Sequence, residues 1–265
     1  MKYQTIEKDG FKFIVTGKGK PIVLLHGLMG ALSNWEAVID HFSDRYQVLA
    51  PVFPVHDIPL ITLGVKSLRK YLRRFFKYNK LDDVVIVGNS LGGHVGLAFT
   101  LAYPEHVKGL VLTGSSGLYE NAFGGTYPRR KSYDYIREKI EFTFYDRAIA
   151  TKELVDEIFE TLNDRAKALR ILTLSKSAIR NNLSAELPAI TVPVLLIWGK
   201  EDRVTPPDVA EEFRSLLLNS ELIWIDKCGH VPMMEQPVLF NFHLDAFLQK
   251  INSGGETLRS GSLHY

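Results

Sequence analysis

What most limits how this chain can fold is a recurring pair: a short continuous apolar run that stops at a glycine, then a segment of helical spacing. "PIVLLHG" at 21 to 27, "DDVVIVGNS", "KGLVLTGSS", "VPVLLIWGKED" and "ELIWIDKCG" are such runs, and "YQVLAPVF" is a close variant. Apolar stretches this short, without alternation, predict strands covered on both faces. Between them, "LGVKSLRKYLRRFFKYNK", "LGGHVGLAFTLAYP", "PPDVAEEFRSLLLN" and "QPVLFNFHLDAFLQKI" carry helical spacing, as does "SNWEAVIDHF", where Ser33 or Asn34 is the expected cap. Strands taking turns with helices predict an α/β chain: a mostly parallel sheet with crossover helices on both faces.

Three segments depart from that rhythm. Around Asp9 and Gly10 two short alternating stretches predict an antiparallel β-hairpin at the N-terminus, because both turn residues tolerate positive φ. Residues 119 to 187 contain amphipathic patterns such as "KELVDEIFETL" and no strand candidate, which predicts a helical insertion over the sheet. The core is then 1 to 118 together with 188 to 252. The tail from 253 to 265 is small and polar, and it is expected to stay disordered.

Composition bounds the partners. With 32 basic and 30 acidic side chains the net charge is +2, too little to draw in nucleic acid or an anionic membrane. The basic stretch "RKYLRRFFKYNK" reads as a solvated helix face opposite the apolar stripe Leu68, Tyr71, Leu72, Phe75 and Phe76. Cys228 is the single cysteine, so no internal disulfide forms, and the first residues show no apolar leader run. These features predict a cytoplasmic protein, a monomer or weak homodimer, acting on a small molecule.

Gly88-Asn89-Ser90-Leu91-Gly92 fits G-x-S-x-G between a strand and a helix. That arrangement strains the serine so that its hydroxyl stands clear of the sheet, and glycines two residues away on either side avoid collision. A hydroxyl needs a base. Of the eight histidines, His26 and His230 follow strands directly. His230, behind the mobile Gly229, is the better base, while His26 is expected to brace its own loop. His41, His106, His243 and His264 read as surface residues. The imidazole needs a carboxylate, and Asp202 closes a strand at the same edge of the sheet. Asp226 competes but lies only four residues before His230. The backbone N–H groups of Leu91, at a helix start, and of Leu28, in "HGLMG", are the expected oxyanion donors.

With "LLHGLMG", "VGNSLGG", "WGKEDRVTP" and "CGHVPMMEQP" in the order nucleophile, acid, histidine, the chain resembles the α/β-hydrolase fold family over nearly its whole length. The resemblance implies a serine hydrolase needing no cofactor or metal, with 119 to 187 as the helical cap. Asn89 beside Ser90, with Asn34 near the first loop, is similar to carbon–carbon hydrolases that cleave vinylogous diketones. Those carry tryptophan where this chain has Val231, and their cap arginine has only Arg170 and Arg180 as candidates. A small carboxylic ester is therefore the first expectation, carbon–carbon cleavage the second, and a non-catalytic ligand receptor the third. Asn34, Asn89, Val231, Phe123, Phe142, Phe144 and Phe159 are the expected pocket lining.

Overall fold

A computed structural model of the chain describes residues 2–30, 32–120 and 129–253, and the backbone of 263–264. Its strands are β1 (Ile6–Lys8), β2 (Phe11–Thr16), β3 (Pro21–Leu25), β4 (Gln47–Pro51), β5 (Val84–Asn89), β6 (Val107–Thr113), β7 (Val194–Gly199), β8 (Ser220–Ile225) and β9 (Leu263–His264). They form one sheet in the order β1-β2-β4-β3-β5-β6-β7-β8-β9. β1 with β2, and β2 with β4, pair antiparallel, and every later pairing is parallel. The turn between β1 and β2 has Asp9 at φ 51° and Gly10 at φ 78°. Positive φ at both central residues matches the right-handed twist of a hairpin.

The helices are α1 (Glu36–Phe42), α2 (Val65–Tyr78), α3 (Leu91–Ala102), α4 (Tyr133–Thr143), α5 (Lys152–Asn163), α6 (Arg165–Arg180), α7 (Pro207–Leu216), α8 (Pro232–Glu235) and α9 (Pro237–Asn252). Because successive strand side chains point to opposite faces, each apolar run feeds two cores. Val84 and Ile86 of β5 pack with Phe75, Phe76, Phe99 and Phe213 of α2, α3 and α7. Val85 and Val87 pack on the other face with Phe42, Phe240 and Phe247 of α1 and α9. A fully apolar strand is thus required by two buried faces.

Sequence expectations differ from the structure in three places here. Neither Ser33 nor Asn34 caps α1: Leu32–Trp35 form a 3-10 turn, and Trp35 precedes the helix without a side-chain cap. His243, expected at the surface, is buried on α9. Leu263–His264 pair parallel with Ile223 and Trp224 of β8, where disorder is expected, while 254–262 lie outside the described residues.

The segment carrying α4 to α6 is inserted between β6 and β7. Its base is closed by Leu183 N–H donating to Gly117 O at 2.8 Å. Arg170 of α6 donates to the carbonyls of Val55 and Ile58, both at 2.7 Å, fastening the insertion to the loop after β4.

Candidate active site

Parallel strands bring their carboxyl ends to one edge, and the loops after β3, β5, β6, β7 and β8 meet there. After β5 the chain turns abruptly at Ser90, which adopts φ 52° and ψ −121° and immediately precedes α3. This is a strained backbone for a residue with a Cβ. It is held by Ser90 N–H donating to Thr113 O, and by Ser90 O accepting from the N–H groups of His94 and Ser116, each at 3.1 Å. The glycines are needed for packing: a Cβ at Gly92 would lie 2.1 Å from Leu25 O, and one at Gly88 would lie 2.6 Å from Gly93.

Asp202, 3% exposed, lies just past β7, and its carboxylate is fully engaged. Oδ1 accepts from the N–H groups of Val204 at 2.9 Å and Thr205 at 3.0 Å. Oδ2 accepts from Thr205 Oγ1 at 2.8 Å and from His230 Nδ1 at 2.9 Å. That last bond fixes the His230 tautomer and leaves Nε2 as the free basic nitrogen. Burial alone would lower the pKa of His230. The charge and hydrogen bond of Asp202 outweigh that, with help from Glu120 and Glu235, so the pKa is raised. Asp226, the competing acid, is instead paired at the surface with Lys200 at 2.5 Å. Glu201 turns away and accepts from Cys228 N–H at 2.9 Å.

Asn89 ties the end of β5 to the His230 loop, since its side-chain amide donates to Thr113 O at 3.0 Å and to His230 O at 3.1 Å. His26 braces its loop: Nδ1 donates to Gly27 O at 2.8 Å and Nε2 accepts from Phe53 N–H at 3.1 Å. Burial lowers its pKa, in keeping with a neutral ring that donates and accepts at once.

Ser90 and His230 open on a cavity of about 680 Å³ between the sheet edge and the insertion, a size suited to a small organic ligand. Leu28, Leu91, Asn34, Asn89, Val231 and Phe144 also line it. Phe142 does not: its ring is stacked under Lys139 and Arg203, each 5.6 Å from the centroid. Phe159 packs edge-on against Tyr133 rather than on the cavity. Phe123 lies outside the described residues. Arg170 is occupied by the loop carbonyls and Arg180 is exposed, so neither reaches the cavity.

The family model described as "Alpha/beta hydrolase family" matches residues 22–241. The chain belongs to the alpha/beta hydrolase family. It is 30% identical over 254 residues to a 2-hydroxy-6-oxo-6-(2'-aminophenyl)hexa-2,4-dienoic acid hydrolase of Metapseudomonas resinovorans, covering 90% of this chain and 87% of the relative. To a 2-hydroxy-6-oxo-2,4-heptadienoate hydrolase of Pseudomonas putida it is 28% identical over 242 residues, covering 83% and 86%. Among solved structures it is similar to an alpha/beta hydrolase enzyme from a lagoon-sediment metagenome of Mar Chica, Morocco. There the identity is 40% and the TM-score 0.78, with 94% of this chain and 99% of the other covered.

Several residues of this alpha/beta hydrolase site were not singled out from the sequence. Gly114, at φ 49°, sits against His230: a Cβ there would lie 2.7 Å from His230 Nδ1. Glu235 accepts from Gly229 N–H at 2.8 Å and from Tyr145 N–H at 2.7 Å, and His230 N–H donates to Thr143 O at 2.9 Å. The loop carrying the base is therefore tied to the end of α4. Glu120, half-buried in the cavity wall, accepts from Ser116 Oγ. Only a "G" after an apolar run pointed towards Gly114, Glu235 lies within "CGHVPMMEQP" without its role being marked, and nothing in the local pattern marks Glu120. Among the described residues no group of three or more His, Cys, Asp or Glu could hold a metal ion, and no helix is long and apolar enough to cross a membrane.

Proposed function

We propose that this alpha/beta hydrolase attacks a carbonyl carbon with Ser90. His230 Nε2 takes the hydroxyl proton, Asp202 stabilises the resulting imidazolium, and the N–H groups of Leu28 and Leu91 receive the oxyanion. The tetrahedral species collapses as His230 returns the proton to the leaving group, and water then hydrolyses the acyl enzyme. The observation that carries this reading is the buried His230–Asp202 bond of 2.9 Å opening on the same cavity as the strained Ser90 corner.

The names of the dienoate hydrolases to which the chain is 28–30% identical favour a carbon–carbon bond as the one broken. On that support we rank carbon–carbon cleavage above the carboxylic ester expected first from the sequence. The ester reading keeps one observation on its side: the wall beside His230 carries the carboxyl of Glu120, a poor neighbour for a dienoate carboxylate. A panel of p-nitrophenyl esters of rising chain length beside a coloured dienoate ring-fission product separates the two. Bleaching of the dienoate that is lost in Ser90→Ala is the expected result, and turnover of esters alone restores the ester reading. If a fluorophosphonate leaves Ser90 unlabelled, the hydrolase reading fails and the ligand-receptor reading replaces it.

A further inference from the structure

The carboxyl that lines the cavity has no part in the proposed triad. Glu120 follows the loop after β6 and lines the cavity with Ser90 and His230. It is attached to the nucleophile corner by a short relay: Ser116 N–H donates to Ser90 O at 3.1 Å, and Ser116 Oγ donates to Glu120 Oε2. Ser116 is itself 2% exposed, so this relay is built into the floor rather than resting on the surface. Burial raises the pKa of Glu120, while the Ser116 hydroxyl and the charge of His230 oppose the rise. Glu120 in turn helps raise the pKa of His230, which puts its charge within electrostatic reach of the reaction centre.

The cationic residues of the same wall do not neutralise it. Arg130 donates to the carbonyls of Leu162, at 3.5 Å, and Asn163, at 3.1 Å. Lys139 lies over the rings of Tyr135 and Phe142, at 5.5 and 5.6 Å. Arg165 and Lys176 of α6 are exposed. The Glu120 carboxyl thus sits beside His230, the charge that acts on it, while the cations of the wall keep their charge but are held on the insertion or stand in solvent.

We infer that Glu120 is a charge filter for the substrate. It accepts a hydrogen bond from, or pairs with, a hydroxyl or ammonium group near the scissile carbonyl, and it disfavours a carboxylate there. The group that flanks the scissile carbonyl is then uncharged or a hydrogen-bond donor, and the carboxylate of a dienoate substrate lies away from Glu120. This inference rests on the Ser90 reading but not on which bond is cleaved.

The test uses the full chain at pH 8. Labelling rates of Ser90 are compared for three alkyl fluorophosphonates of equal length ending in methyl, carboxylate or trimethylammonium. The wild type is expected to react fastest with the cationic probe and slowest with the anionic one, the extremes differing by roughly tenfold or more, the size expected for one nearby partly screened charge. Glu120→Gln collapses the spread, and Glu120→Asp retains the order. An unchanged order in Glu120→Gln, or a preference of the wild type for the anionic probe, overturns the filter while leaving Ser90 as nucleophile. Absence of labelling by all three probes instead removes the Ser90 reading, and the filter with it. Should Glu120→Gln fail to fold, Glu120→Ala takes its place, and the wild-type order still decides.

Discussion

At the scale of single residues, Asp202 has the most to do, because its four hydrogen bonds hold one ring in one orientation. Asp202→Asn keeps the shape and removes the charge, so turnover should fall by about 10³- to 10⁴-fold. In the proposed mechanism the base works only as neutral imidazole, so activity should rise with pH through the pKa of His230. In the wild type that limb should lie above the ordinary histidine value, since the pKa is raised. In Asp202→Asn it should move to lower pH, and a pH profile of kcat/KM checks both. Ser90, Asp202 and His230 were legible as candidates in the sequence because each closes an apolar run. Phe142 was misassigned because aromatic residues on a helix look alike whether they face a cavity or a cation. Glu120 went unseen because a lone acid in a loop acquires meaning only from what the fold places around it.

At the scale of elements, strand and helix identities followed from apolar continuity, and the hairpin from its Asp-Gly turn. Pairings between distant segments were not legible, since Leu263–His264 carry no pattern of their own and are recruited by the free edge of β8. The cap of α1 was misread for a related reason: Leu32–Trp35 leave the loop as a 3-10 turn, and Asn34 is drawn to the cavity instead. The junction of β5 and α3 tolerates almost no added volume. Gly92→Ala would set a methyl group 2.1 Å from Leu25 O. Its relief requires β3 and α3 to separate, at a cost of about 3 kcal/mol, to be read as a lower urea midpoint.

At the scale of the whole molecule, one buried histidine outside the triad ties stability to pH. His94, on α3, is 0% exposed, and neither ring nitrogen makes a hydrogen bond of good geometry. Burial, opposed by Asn181, lowers its pKa from 6.5 to about 4. Between those values the unfolded chain binds a proton that the folded chain refuses. Stability should therefore be lost as pH falls from 6.5 towards 4, by about 3 kcal/mol in all. Urea unfolding of the wild type and His94→Gln at pH 7 and pH 4.5 checks this, the variant showing the shallower acid slope.

The attachment of the base loop to the insertion has a consequence for how such a protein can diverge. His230 N–H is received by a main-chain carbonyl at residue 143, whereas Gly229 N–H is received by the side chain of Glu235. A carbonyl is supplied by any amino acid, so position 143 is free to drift so long as the path of α4 is kept. Position 235 has no such freedom. A chimaera that imports a foreign insertion inherits a working base only if its first helix ends at the same point in space, whatever residue stands there.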